Sequence, residues 1–405
     1  MTISSPYAGA VPMWRLAFSA LRRLPAFFFA LRFTSLRGTL LLLAGLPVFL
    51  FLQAINWCGL LLDELLFPRW RETPVGAPLF VLGVPRSGTT FLHRVLADSG
   101  DFTTFRLWEC MFAPSLTQRV FWRTLGRADR VLGAPLQRLL DWLQQRCFGS
   151  LDAIHRTRLD SAEEDYLALL PYLGSFILIL PFPHAGAAWT LATADRDMPD
   201  SQRSELMAFY YALVQKHVYF HGSEKRFLSK NAAFAGLAGS LAATFPQARF
   251  LVCLREPEQA LPSQLSAIRD GILLFHSPQL LPHYTARFLA VFPFFYANLH
   301  RAMQGPAASR HVFLSMHELQ CGLDSCLPAA LKRLQIPLSE PLLAGISQHA
   351  EASRGYRSSH KVRTDGLPEL AAPQLRRHFA RQVPALPYLM RLIKRPVHAE
   401  GEVQC

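Results

Sequence analysis

Twenty residues, Pro78 to Ala97 (PLFVLGVPRSGTTFLHRVLA), constrain the fold more than any other stretch of this 405-residue chain. Leu79 to Leu82 form a short apolar run that predicts a buried strand. The run empties into a loop holding Gly83, Pro85, Ser87 and Gly88. A helical pattern follows, with Leu92, Val95 and Leu96 on one face. Strand, glycine loop and helix N-terminus in that order make a cradle for a phosphate-like anion: loop N–H groups converge on it and the helix dipole adds positive charge. The spacing Gly83-x4-Gly88 matches half of a Walker A motif. The other half fails, because Thr89 stands where a nucleotide-hydrolysing loop carries lysine, and a cation sits earlier, at Arg86.

A second anion-binding pattern lies at 227–263. Leu237, Leu241 and Phe245 are helically spaced and Pro246 ends that helix; Arg249 to Leu254 predicts another buried strand, with Arg255 at its carboxyl end. Ligands of open α/β sheets bind outside the carboxyl ends of the strands, which places Arg255 to meet one. Ser263 follows eight residues later. A guanidinium grips phosphate bidentately, and a helix-borne hydroxyl adds a donor.

The PRSGTT loop and the Arg255…Ser263 pair resemble the 5′-phosphosulfate and 3′-phosphate signatures of sulfotransferases that use 3′-phosphoadenosine 5′-phosphosulfate (PAPS). The arginine form of the loop resembles the branch containing protein-tyrosine and many bacterial members. The resemblance covers roughly residues 75–365 and implies a P-loop-type α/β fold of three layers, a central parallel sheet flanked by helices. It implies that Arg86, Ser87, Gly88, Thr89, Thr90, Arg255 and Ser263 bind the donor and that Arg86, Glu109 and Lys230 are catalytic. Glu109, in the pair Trp108-Glu109, would be the general base. Trp108, Met111 and Phe112 offer it a partly apolar setting expected to raise its pKa. Lys230, in Lys230-Asn231, would neutralise charge on the bridging oxygen. Gly355 to Lys361 resembles a Tyr-x-Ser-x-His stretch that closes the cofactor site. The acidic run Glu163-Glu164-Asp165 reads as a structural helix start.

Sulfuryl transfer, like phosphoryl transfer, is an in-line displacement, and the transferred group carries less charge, so no metal is expected. The alternative is a nucleotide-binding kinase or hydrolase on the same fold; it would need a lysine after Gly88 and a metal-holding aspartate, and the sequence offers neither. A non-catalytic membrane scaffold is a further reading, to which Arg86, Thr89, Arg255 and Ser263 would be superfluous.

Residues 1–74 form a basic, apolar N-terminal region, 75–390 the catalytic domain and 391–405 a tail. Gly38 to Leu62 is a run of 25 uncharged residues, long enough to cross a bilayer. Pro47, Gln53 and Asn56 allow instead a broken helix or a shallow hairpin. The expectation is a membrane-associated protein with its catalytic domain in the cytoplasm, where a bacterial donor is made; a lumenal, Golgi-type orientation is the eukaryotic counterpart. Leu167 to Phe182 reads as core or acceptor pocket, and the chain after Pro387 as surface. Seven scattered cysteines give no disulfide framework. The net charge of +13 suits an anionic donor and an anionic membrane surface. No nucleic-acid-binding signature appears, so nucleic acid is not an expected partner. The aromatic-rich helices favour a lipid, glycolipid or other amphipathic acceptor over a soluble protein; a small-molecule hydroxyl or amine is the general class.

Overall fold

The computed structural model describes residues 11–32, 35–148, 161–305, 307–354 and 371–394. Five strands form one parallel sheet: β1 (Leu79–Gly83), β2 (Phe102–Thr103), β3 (Arg226–Lys230), β4 (Arg249–Leu254) and β5 (His311–Ser315), in the order β2-β3-β1-β4-β5. Registers are continuous across the centre, with Val81 beside Lys230 on one side and Leu251 on the other. β1 is therefore the middle strand, with the ends of β3 and β4 on either side of the loop that leaves it.

Helices account for the rest: α1 (Met13–Phe28), α2 (Leu36–Leu66), α3 (Thr89–Asp98), α4 (Leu107–Phe112), α5 (Leu116–Val131), α6 (Pro135–Phe148), α7 (Gly186–Trp189), α8 (Ala194–Asp197), α9 (Asp200–His221), α10 (Ala238–Thr244), α11 (Pro257–Phe275), α12 (Leu281–Gln304), α13 (Met316–Cys321), α14 (Leu323–Arg333), α15 (Glu340–Arg354), α16 (Ala372–Gln382) and α17 (Leu386–Ile393).

The alternation of side chains along each strand sorts them into two separate cores. Phe80, Leu82, Phe250 and Val252 point to the larger core, filled by α9, α10 and α12. Leu79, Val81, Leu251 and Cys253 point to the smaller, which takes Leu92 of α3 and Leu327 of α14. Every residue of β1 is buried, as a strand covered on both faces requires. Sheet with helices on both sides is the three-layer arrangement expected from sequence.

Two expectations need correction. The apolar run does not break or turn back at Pro47: Leu36–Leu66 is one helix. The missing N–H of Pro47 costs one hydrogen bond, at an exposed position within the helix. The tail beyond Pro387 is not all surface, since Leu389, Leu392 and Ile393 of α17 are buried against the larger core. Leu167 to Phe182, read as core or acceptor pocket, does supply core: it is largely 3-10 helix, and Leu169, Tyr172 and Ile179 join that same core.

Helix α2 is tied to the domain by its few polar residues. Asp63, fully buried, accepts from the N–H groups of Leu116 and Thr117 at 2.9 and 2.8 Å, from the Thr117 hydroxyl at 2.8 Å, and from Lys216 Nζ at 2.6 Å. The ammonium of Lys216 also lies 4.1 Å from the centre of the Trp70 ring. Burial outweighs the attraction of Asp63 and lowers the Lys216 pKa to about 8.

Candidate functional site

The loop after β1 adopts a conformation that only part of its sequence explains. Gly88, the N-cap of α3, has φ +94°, and a Cβ there would lie 2.9 Å from both Leu319 and Met316. Glycine is required on both counts. Arg86 also has a positive φ, +70°, which an arginine rarely adopts. Strained backbone of this kind clusters at ligand clamps, although Ala134, Leu173 and Gln335 also hold positive φ elsewhere in this fold. Ser87 is buried and its hydroxyl donates to the Val84 carbonyl at 2.7 Å, closing the loop on itself. Thr89 and Thr90 open α3, where the first N–H groups have no helical acceptor and point outward along the axis.

Arg255 and Ser263, far away in sequence, converge on this loop. Arg255 Nη1 donates to the Arg86 carbonyl at 3.0 Å, and Arg86 Nε donates to Ser263 Oγ at 3.2 Å. Ser263 comes from the second turn of α11, which starts at Pro257 just beyond β4. Tyr296 of α12 fixes the position from behind, its hydroxyl donating to the Arg255 carbonyl at 2.5 Å. Two guanidinium groups, a hydroxyl and a helix N-terminus thus meet at the carboxyl ends of β1 and β4. The arrangement suits a ligand carrying two separate phosphate-like groups.

On the other side of β1, Lys230 ends β3 and is almost fully buried. Its ammonium donates to Glu164. The acidic run read as a structural helix start therefore also supplies the partner of Lys230, a contact between residues 66 positions apart that local sequence cannot show. Glu163, beside it, has its pKa raised by burial, against the pull of Lys230. Asp165 is wholly buried and accepts from the Tyr210 hydroxyl and, at 3.3 Å, from the Lys230 N–H. Burial pushes its pKa up to about 7. His93 of α3, buried and 2.9 Å from Thr104 Oγ1, is driven the other way, down to about 3, by burial and then by Lys230.

The raised pKa of Asp165 has a testable sign. Between the ordinary 3.8 and about 7 the folded protein holds a proton that the unfolded chain releases. This group's stabilisation is complete below the ordinary carboxylate range and is lost as pH rises through about 7. Relative to Asp165→Asn, the parent should accordingly lose stability in urea unfolding between pH 5 and pH 8, whatever slope the buried histidines add to both. A slope unchanged in Asp165→Asn would show that other groups carry it.

Glu109 departs most from expectation. It lies on α4, buried with no exposed side-chain atom, rather than in a partly apolar pocket. Its carboxylate accepts from the Arg106 N–H at 3.0 Å and from His221 Nε2 at 2.7 Å, with the Arg119 guanidinium 3.7 Å away. Burial alone would raise its pKa, but Arg119 and the His221 hydrogen bond outweigh burial and hold it below the usual carboxylate range. The expected upward shift is therefore reversed.

His217 and His221 stand one turn apart on α9, a His-x-x-x-His spacing that contradicts the expectation of no such metal-ligand pattern in the chain. With Glu109 their ligand atoms lie within 4.8 Å of one another. Arg119 Nη1 sits 3.3 Å from His217 Nδ1. Because arginine can only donate, Nδ1 accepts and Nε2–H donates to Thr103 Oγ1 at 2.7 Å. The guanidinium already supplies the positive charge that a metal would bring. Gly355 to Lys361 lies outside the described residues.

The sequence profile of the sulfotransferase family matches residues 78–340, from the start of β1 to the start of α15. The chain belongs to the sulfotransferase family. Similar solved structures agree on the fold. A sulfotransferase STF9 from Mycobacterium avium superposes with a TM-score of 0.60 at 20% identity, covering 78% of this chain and 79% of that one. A sulfotransferase STF1 from Mycobacterium tuberculosis H37Rv gives 0.58 at 17% identity, over 79% and 80%. No curated protein sequence matches the chain. Membership makes this sulfotransferase an enzyme that takes a sulfuryl group from a donor to an acceptor.

Proposed function

We propose that the donor of this sulfotransferase is PAPS, bound with its 5′-phosphosulfate in the loop Arg86–Thr90 and its 3′-phosphate on Arg255 and Ser263. The supporting observation is the convergence of Arg255 and Ser263 on Arg86 from chain segments some 170 residues away. An ATP-hydrolysing site has no use for a second anion pocket beside its loop, and Thr89 leaves it without the loop lysine.

In this reading the N–H groups of Ser87, Gly88, Thr89 and Thr90 hold the 5′-phosphate, the leaving group. Arg86 within the loop and Lys230 at the end of the neighbouring strand β3 balance charge as it grows on the bridging oxygen. A base must take the proton of the acceptor hydroxyl or amine. Glu109, the residue expected from sequence, has its carboxylate fully engaged and its pKa depressed. Glu163, half-buried and next in the chain to Glu164, which holds the Lys230 ammonium, is open to an acceptor and has its pKa raised by burial, so it meets the requirement better. Glu109 then acts as the anchor of α4.

Loss of the 3′-phosphate contact gives a direct test. Arg255→Ala should weaken donor binding by about 1.5–3 kcal/mol, roughly 10- to 150-fold in Kd. Adenosine 5′-phosphosulfate, which lacks the 3′-phosphate, should bind the variant and the parent alike. Unchanged PAPS affinity in Arg255→Ala would remove this residue from the site.

For the acceptor we propose an amphipathic alcohol, lipid or glycolipid, used at a membrane surface by a cytoplasmic catalytic domain. Helix α2 is long and apolar enough to cross a bilayer, and little of its most apolar window is covered by protein. The helix also touches α4, where Asn56 Nδ2 donates to the Met111 carbonyl near the end of that helix. Incubation with PAPS labelled at sulfur should place label in a lipid extract. Label confined to soluble polypeptides would defeat this choice.

A further inference from the structure

Exposed apolar side chains in this sulfotransferase gather on four helices that pack in series, α1 on α2, α2 on α5 and α5 on α6. On α1 they are Trp14, Phe18 and Leu21, spaced as one stripe. On α2 they run the whole length, from Leu40 through Phe51 to Leu65, the last two 69% and 78% exposed. The α5–α6 pair adds Phe121, Trp122, Val131, Leu132 and Trp142. Soluble proteins seldom expose so extended an apolar surface without covering it.

The charges around this surface are predominantly basic: among the described residues the one exposed acid on the four helices is Asp141 of α6, and the half-buried Glu64 of α2 is paired with Arg71. α1 contains no acidic residue, and its exposed charges are Arg15 and Arg22. α5 exposes Arg123, Arg127 and Arg130; its single acid, Asp129, is buried and accepts from the N–H groups of Leu136 and Gln137 where α6 begins. Arg22 lies 4.3 Å from the centre of the Phe18 ring and Arg146 5.3 Å from that of Trp142. Arginine beside tryptophan and phenylalanine on an apolar face is the composition of a surface that sits at the headgroups of an anionic bilayer. A second copy of the chain is a poor occupant, because a net charge of +13 repels it.

Helix α2 is fastened to the globular domain at both ends and in the middle. Near its start, Ser35 Oγ donates to the Phe275 carbonyl at 3.3 Å, and a Cβ on Gly38 would fall 1.6 Å from that same oxygen. Midway, Asn56 is bonded to Met111 and to Gln118 Nε2, the latter at 2.8 Å. At the far end Asp63 is buried in its four donors. A helix of 31 residues is about 46 Å long, against roughly 30 Å of bilayer hydrocarbon. Held along that length by one folded body, it cannot put its ends on opposite sides of a membrane without drawing the body in.

We infer that α1, α2 and the α5–α6 pair form a single monotopic docking surface for an anionic lipid bilayer, with α2 lying in the plane of one leaflet. This deepens the membrane association proposed above and rests on it. The catalytic domain then stays on the side from which the protein binds, and α4, bonded to α2 and by Trp122 Nε1 to the Phe112 carbonyl, lies next to the lipid.

Flotation of the full-length protein with phosphatidylcholine vesicles, with and without phosphatidylglycerol, tests the surface. Binding should require the anionic lipid and weaken at high salt. Leu43→Glu/Phe51→Glu, both at exposed positions, should lower it on the order of a hundredfold while leaving the thermal midpoint unchanged. An environment-sensitive fluorophore placed at Leu40, Phe51 or Leu62 in separate variants then reports depth. In-plane docking predicts equal, shallow depth for all three, reached by a quencher added outside the vesicles. A deep Phe51 with one end beyond the external quencher would mean that α2 crosses, overturning the in-plane geometry while sparing membrane association. Failure to float with any vesicle would overturn association itself. Protection of the three positions by self-association in the absence of lipid would assign the face to a second copy.

Discussion

Replacing Arg86 by glycine should lower kcat roughly a hundred- to a thousandfold, the usual cost of removing one donor aimed at charge that develops in the transition state. Glycine is the informative choice. Arg86 holds φ +70°, so Arg86→Ala loses the guanidinium and keeps the backbone strain, whereas Arg86→Gly loses the guanidinium and relieves the strain. Thermal stability should therefore be equal or higher in Arg86→Gly while turnover collapses. Arg86→Lys retains charge but not the fork that meets Ser263, and should fall between the two. Single-turnover kinetics with saturating donor would locate the loss in the chemical step. A glycine variant retaining a tenth or more of the parental rate would show that Arg86 shapes the loop and nothing more.

Glu109→Ala should destabilise the fold by about 3–5 kcal/mol, because it strands the guanidinium of Arg119 in an interior with no counter-charge. Arg119 is 1% exposed and fixed by its Nε bond to the Ala113 carbonyl, so it cannot swing out to water. Glu109→Gln keeps the shape and removes the charge. It should cost much of the same stability while the folded fraction still turns over at a rate within about tenfold of the parent's. Urea unfolding together with activity per folded molecule separates the two contributions. If Glu109→Gln were as stable as the parent and inactive, Glu109 would be the base after all, and the assignment to Glu163 would fail.

How much of this could be read from the chain follows from the range of each interaction. The strands β1 and β4 were legible because each is a short apolar run bounded by turn residues, and a strand buried on both faces has no other appearance. The loop was legible because Gly88 is dictated locally, by its own φ and by what its Cβ would strike. Arg255 was placed by a rule about strand ends, and its meeting with Arg86 follows from β4 lying next to β1. β2 was not foreseen, as two residues carry no periodicity.

The surroundings of Glu109 were illegible for a different reason. Its neighbours in sequence are apolar, whereas its partners in space, His217 and His221, come from the end of a helix that starts about ninety residues later. A sequence window sees the first set and predicts a raised pKa; the fold delivers the second and lowers it. Lys230 and Glu164 tell the same story with less distance. Helix α2 departs from the break allowed at Pro47 because proline is a strong local signal, while the bonds at Ser35, Asn56 and Asp63 that fasten the helix to the domain are all long-range.

The most direct test of a donor site built from two anion pockets is calorimetric titration of the detergent-solubilised protein with adenosine 3′,5′-bisphosphate, with and without magnesium, against ATP. Tight binding of the bisphosphate, indifferent to magnesium and well above that of ATP, is the predicted result. Preference for ATP with magnesium, or binding of neither nucleotide, would contradict it.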